Sequence, residues 1–224
     1  MFRFKGITNE EMEVVAEEEN FLGRAARRVE STAVFDADGA SFRYGGREPI
    51  ERSVKLFVLN LARMDDILAW LDGEGTFEFE GRITTARFLT EVAPERLSAI
   101  KIIETRFIRD AFWHPLTEAD QTISTFPAVI TNPGNTESEP LLKITGSGTV
   151  NLTLNGVTFA YVFDTPYVYI DCQSGPGRDV FHLDVKKTRN KSGGYPFLSP
   201  GSNELVINNG TVSEVIVTKR SRYL

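Results

Sequence analysis

The sequence predicts a mainly β fold in two domains. Three observations carry that expectation: sixteen Phe among many Val, Ile and Thr, turn-forming Gly, Asn and Asp at short intervals, and one clear stretch at helical spacing. Of the 224 residues, 41% are hydrophobic and 25% charged, enough apolar side chain to build a core and too much for a disordered chain. At roughly 100–200 residues per domain, this length suits one large domain or two small ones.

From the amino terminus, Asn9 to Glu13 reads as a short acidic turn, and Glu17-Glu18-Glu19 as a solvated charged face rather than a cation site. Asp36-Ala37-Asp38-Gly39 starts like a calcium loop. Ser41 and Arg47 stand where that loop needs its glycine and its glutamate, so a tight turn between strands is expected. The helix is expected over residues 62–70: Met64, Ile67, Leu68 and Leu71 share a face, Asp65 and Asp66 suit its first turn, and Gly73 and Gly75 lie beyond its end. Thr76-Phe77-Glu78-Phe79-Glu80 alternates apolar and charged residues, as a strand with one wet face does. Residues 86–91 and 100–108 form an alternating strand pair, closed by Phe112-Trp113-His114-Pro115, and Pro94-Glu95-Arg96-Leu97 reads as a second short helical turn.

Turn formers then crowd residues 126–136, which puts the domains at 1–128 and 129–224, with the last strand free to return to the first domain. Beyond that boundary strands and turns alternate. Asn155-Gly156 joins residues 151–154 to 157–163 as a two-residue hairpin and lines Val157, Phe159, Tyr161 and Phe163 along one face. Asn209-Gly210 predicts a second hairpin, between residues 204–207 and 211–217.

The chemistry is mostly absent. A net charge of −6 and a pI near 5.1 disfavour a nucleic-acid grip, which needs a basic face. The single Cys172 excludes an intramolecular disulfide and a cysteine-based zinc site, and its acidic neighbour Asp171 suits an inert, buried thiol. His114 and His182 have no metal-ligand spacing, and no Gly-x-Ser-x-Gly nucleophile elbow occurs. Gly-Ser-Gly at 146–148 and Gly-Pro-Gly at 175–177 lack the lysine and the strand-to-helix setting of a phosphate loop, so both read as turns. Lys219-Arg220-Ser221-Arg222 reads as a frayed, solvated basic tail. No apolar leader segment and no stretch of about 20 apolar residues is found, so neither a signal peptide nor a membrane span is expected. No catalytic residue, metal or cofactor is expected, and the chain does not read as an enzyme.

Several stretches, in order along nearly the whole chain, resemble the distal tail (Dit) proteins of long-tailed, non-contractile bacteriophages. They are Met1 to Ile7 with Arg24 to Glu30, Asp65 to Gly75 with Ala86-Arg87-Phe88, Phe107 to Trp113, Thr131 to Pro140 with Tyr169-Ile170-Asp171-Cys172, and Phe197 to Asn203. The resemblance implies an amino-terminal β-sandwich with one helix and a projecting hairpin, followed by a galectin-like β-sandwich. It also implies a hexameric ring at the distal end of the virion tail, assembled in the cytoplasm of a bacterial host. Its implied partners are the tail tube protein on one side and a baseplate hub or receptor-binding proteins on the other, with no membrane bound. DNA would transit the lumen without stable binding, which a formal charge of −6 on each copy favours.

Residues 34–46 resemble the hairpin that clasps the neighbouring subunit in this family. Its aromatics Phe35, Phe42 and Tyr44 fit two roles, anchors in a neighbour or cover for the domain's own core. A carbohydrate-binding module for adhesion to the host surface is the alternative function. Tyr161, Tyr167 and Tyr169 are its candidate saccharide contacts, and core packing is their other reading. A wall-degrading hydrolase is a third class, for which no catalytic signature is present.

Overall fold

The computed structural model describes residues 1–17, 21–33, 38–92, 94–97, 100–175 and 177–224, excluding the side chains of 94–97 and 100. The chain divides into two compact units, residues 1–116 together with Leu224, and residues 117–223. No helix is long and apolar enough to cross a membrane among the described residues.

In the first unit, β1 (Phe2–Phe4), β2 (Ile7–Thr8), β3 (Val14–Ala16), β4 (Arg27–Ala33), β5 (Ala40–Arg47) and β6 (Ile50–Val58) precede α1 (Met64–Trp70). After it come β7 (Gly73–Phe79), β8 (Arg82–Phe88), β9 (Pro94–Leu97), β10 (Ile100–Arg109) and β11 (His114–Pro115). The main sheet runs β2-β1-β7-β8-β10-β6-β3, with β11 beside β8 and β9 beside β10, while β4 and β5 form a two-stranded sheet of their own. Strands β8 and β10 share just two register pairs, Ile108 with Arg87 and Arg109 with Ala86. The sheet curls at that corner, and rings from both leaves meet inside it: Phe107 lies 4.9 Å from Phe77 and 5.0 Å from Phe88. Of the expected helical face, Ile67 and Leu71 are buried and Met64 and Leu68 half-buried; Trp70 is buried beside them, and its indole donates to the Phe4 carbonyl at 2.8 Å. The outer face is charged, with Arg3 on Glu78 at 3.2 Å and Arg87 on both Glu74 and Asp110 at 2.7 Å.

Residues 94–97 are a strand and not a helical turn. They pair with β10 from Leu97 opposite Ile100 to Pro94 opposite Ile103. Pro94 suits the first position of a helix or an edge strand equally well, and the open flank of β10 decides it.

Among the described residues, the second unit is made of strands, turns and one 3₁₀ turn. It contains β12 (Gln121–Ile123), β13 (Ala128–Asn132), β14 (Leu141–Leu154), β15 (Val157–Val162), β16 (Tyr167–Asp171), β17 (Asp179–His182), β18 (Val185–Lys186), β19 (Lys191–Gly193) and β20 (Gly201–Thr218). The unit starts ahead of the turn-rich stretch 126–136 because β12 pairs with β20, from Gln121 opposite Val217 to Ile123 opposite Val215. Two long strands organise everything else. At one end, residues 141–145 of β14 and 214–218 of β20 lie between β16 and β12; at the other, 149–154 and 201–207 lie between β15 and β13. Both strands therefore pass from one layer of the sandwich to the other, through register shifts near Gly146 and between Ser147 and Asn151. The enclosed core includes Ile144, Leu152, Phe159, Tyr161, Val168 and Val215.

Asn155-Gly156 forms its hairpin, with both φ angles positive at 48° and 76°. Asn209-Gly210 does not. The residues on either side of it belong to the single strand β20, and both pair with β14 rather than with each other. Gly210 has φ 88°, whereas Asn209 is not in the left-handed region a type I′ turn requires. The glycine instead accommodates a bulge, where a Cβ would strike the Thr149 carbonyl and lie 2.8 Å from Val150 Cα.

The basic tail is likewise ordered. Arg220 makes a bidentate bond to Asp171 at 2.6 and 2.9 Å, Arg222 meets Glu139 at 2.6 Å, and buried Ser221 bonds to Glu118 through its amide at 3.0 Å. Carboxylates distant in sequence hold it down, which composition at the terminus does not reveal.

Candidate assembly interface

The hairpin of β4 and β5 is the feature with no intramolecular purpose in view. Val29 pairs with Tyr44, Ser31 with Phe42 and Ala33 with Ala40, so strand alternation puts Val29, Phe42 and Tyr44 on one face. Glu30 pairs with Arg43 and Thr32 with Ser41, which makes the opposite face polar. An amphipathic pattern ordinarily marks a face laid on a core, yet every residue of β4 and nearly every residue of β5 is exposed. Phe42 is 56% and Tyr44 64% accessible. Those two aromatics therefore do not cover their own domain's core. Phe35 lies outside the described residues.

The hairpin's root is held by arginines. Arg47 donates to the Ala25 carbonyl at 2.8 Å, Arg52 to Leu22 at 3.1 Å and Arg109 to Gly23 at 2.7 Å. The Glu48 amide adds a bond to the Ala26 carbonyl at 2.9 Å. Arg109 is fully buried beside the Trp113 ring, 4.9 Å from its centroid, and burial, reinforced by Arg52, pulls its guanidinium down to about 10. Burial also lowers Arg47, with Arg27 and Arg24 adding repulsion. Arg27 lies over the Tyr44 ring at 5.9 Å, and Arg28 pairs with Glu48 at 2.6 Å.

The three tyrosines separate. Tyr161 is fully buried in the second unit's core, against Phe163 at 4.8 Å, and offers no ring face to a saccharide. Tyr167 and Tyr169 are half-buried on the outer side of β16. Lys143 lies over both rings at 4.8 and 6.0 Å, Phe181 stacks on Tyr169 at 5.2 Å, and His182 meets Tyr167 at 4.4 Å. Cys172 is buried, and its thiol is pushed up to about 12 by that burial and by Asp171. No group of three or more His, Cys, Asp or Glu is placed to hold a metal among the described residues.

No family model matches the chain, and no curated protein matches it significantly. Among solved structures, the crystal structure of SPP1 Dit (gp 19.1), described as a paradigm of the hub adsorption apparatus in phages infecting Gram-positive bacteria, aligns with a TM-score of 0.73 at 12% identity. That alignment covers 100% of this chain and 98% of the other. The chain has the SPP1 Dit fold. The phage p2 baseplate in its activated conformation, with strontium or calcium, aligns over 92% of the chain at a TM-score of 0.36 and 10% or 8% identity.

Within the Dit fold, the hairpin is expected from the family resemblance over residues 34–46. Its strands run over Arg27–Ala33 and Ala40–Arg47, and residues 34–37 of the expected turn lie outside the described residues; its root was not legible. Arg47, Arg52 and Arg109 come from three strands and bond to main-chain carbonyls, an arrangement that leaves no motif. Of the two readings open for Tyr161, saccharide contact and core packing, its burial fits the second.

Proposed function

We propose that this chain is a structural hub of a phage tail tip. Six copies close into a ring that joins the tail tube protein to baseplate or receptor-binding proteins and lets the genome pass. The observation that carries this reading is an amphipathic hairpin, exposed on both faces and rooted by three arginines, on a chain with the Dit fold. A contact between unlike patches repeats head to tail and closes into a ring when the rotation allows. The acidic composition suits a lumen through which DNA slides without being held. Function on this reading is mechanical, with no catalytic group, and the place of action is the distal end of the virion tail.

Light scattering after size exclusion tests it, with the tail tube protein present and absent. A mass near six times 25.0 kDa is expected, reduced by the double substitution of Phe42→Ala and Tyr44→Ala. Both side chains are exposed, so the variant should unfold within about 0.5 kcal/mol of the parent. A chain that stays monomeric at high concentration and with its tube partner overturns the ring.

A further inference from the structure

The first unit carries a second apolar row on the outer face of its main sheet, exposed at Val15 and half-buried at Phe57 and Ile102. Val15 pairs with Phe57 across β3 and β6, and Phe57 with Ile102 across β6 and β10, so the three side chains stand in line on one face. Leu59 continues the Phe57 side just past β6, where its amide donates to the Glu13 carbonyl at 3.0 Å. Val15 is 48% and Leu59 65% accessible. Much of the rest of this face is occupied by paired charges, so the row is an apolar gap in a polar surface.

Carboxylates outnumber cations around it, and the one ammonium among them, that of Lys55, lies 5.7 Å from the centroid of the Phe57 ring. Glu17 and Glu104 share a single ammonium, that of Lys55, at 3.7 Å each, and exposed Glu13 adds a further carboxylate. The hairpin is complementary in both respects. Val29, Phe42 and Tyr44 supply an apolar row, and Arg24, Arg27 and Arg47 gather at its root. Among the described residues none of these three arginines is bonded to a carboxylate.

We propose that the Val15–Phe57–Ile102 row seats Phe42 and Tyr44 from the hairpin of a second copy, with Arg24 and Arg27 facing Glu13 and Glu17. The inference rests on the ring reading and names its acceptor surface. Donor and acceptor are different patches of one sequence, as a heterologous contact requires. Aromatic anchors at the centre and ion pairs at the rim are the usual anatomy of such contacts.

The test uses two full-length proteins, L59C and S41C, whose cysteines flank the seat and the anchors without replacing them, mixed and treated with a flexible bis-maleimide linker. Both positions are exposed, so neither change should disturb the fold, and buried Cys172 stays silent. A V162C protein, exposed on the second unit, replaces L59C as control. The L59C–S41C adduct should exceed the V162C–S41C adduct by about tenfold or more, because a docked geometry raises the effective concentration of the two thiols. It should fall back to the control when Glu13→Arg and Glu17→Arg are added. Equal adduct yields overturn the acceptor assignment. If the unlinked protein still has the mass of a ring, the ring survives that result and the hairpin docks elsewhere; if it is monomeric at high concentration and with the tail tube protein present, both fall.

Discussion

Replacing Gly210 by Ala tests the sheet-switching architecture of the second unit, with Gly148→Ala as its internal control. Both glycines have left-handed φ angles, 88° and 70°, and both lie where β14 and β20 pass each other out of register. They differ in space. A Cβ at Gly148 meets nothing within 4 Å, whereas one at Gly210 strikes the Thr149 carbonyl oxygen and lies 2.8 Å from Val150 Cα. The conformational penalty for an L-residue is about 1–2 kcal/mol at either site, offset by about 0.4–1 kcal/mol from a stiffer unfolded chain. Gly148→Ala should therefore cost about 1 kcal/mol. At Gly210 the atoms in the way are main-chain atoms of a paired strand, which cannot rotate aside, and overpacking adds about 1–3 kcal/mol. The total should be about 3 kcal/mol. Urea unfolding followed by circular dichroism reads the difference, and hydrogen exchange over β14 and β20 locates it. If Gly210→Ala costs no more than Gly148→Ala, the two strands do not cross as closely as described.

Two further outcomes follow from the ion pairs of the second unit. Lys186, then the Thr188 hydroxyl and the Val180 amide, hold the Asp179 carboxyl down to about 2. A depressed carboxyl stabilises the fold fully above the ordinary carboxylate range near pH 4, and that contribution fades as pH falls toward 2. Asp179→Asn should be the less stable protein at pH 7 and should show a shallower loss of stability between those two values in acid titrations of the unfolding midpoint. Arg220→Ala removes a bidentate bond to Asp171 and should cost about 1–3 kcal/mol in urea unfolding while speeding amide exchange at residues 219–223. No change in either measurement would restore a frayed tail.

The sequence predicted strand content and the helix well because both depend on short-range periodicity. Ile67, Trp70 and Leu71 recur at helical spacing and are buried together, and Phe77 alternates with Thr76 and Glu78 on opposite faces of β7. What stayed hidden depends on which partner a segment finds. The dipeptide Asn-Gly occurs at 155–156 and 209–210 and has two outcomes, since β14 is long enough to pair with both flanks of the second. Residues 94–97 join β10 through main-chain bonds that their side chains do not advertise. The hairpin is expected from the family resemblance, which leaves open whether Phe42 and Tyr44 cover their own core or stand exposed. An alternating strand looks the same whether its apolar face meets its own core or nothing in its own chain.

The arginine root of that hairpin has a consequence for how the protein meets changing surroundings. Its three anchoring bonds run from guanidinium groups to carbonyls at Leu22, Gly23 and Ala25. None of those bonds uses a carboxylate or an imidazole, the groups whose charge changes across the acid and neutral range. An arm tethered through such groups would be let go somewhere in that range, whereas nothing in these three bonds depends on them. On the proposed ring reading, acid that parted one copy from the next would leave the anchoring bonds of each arm in place for the copies to engage again.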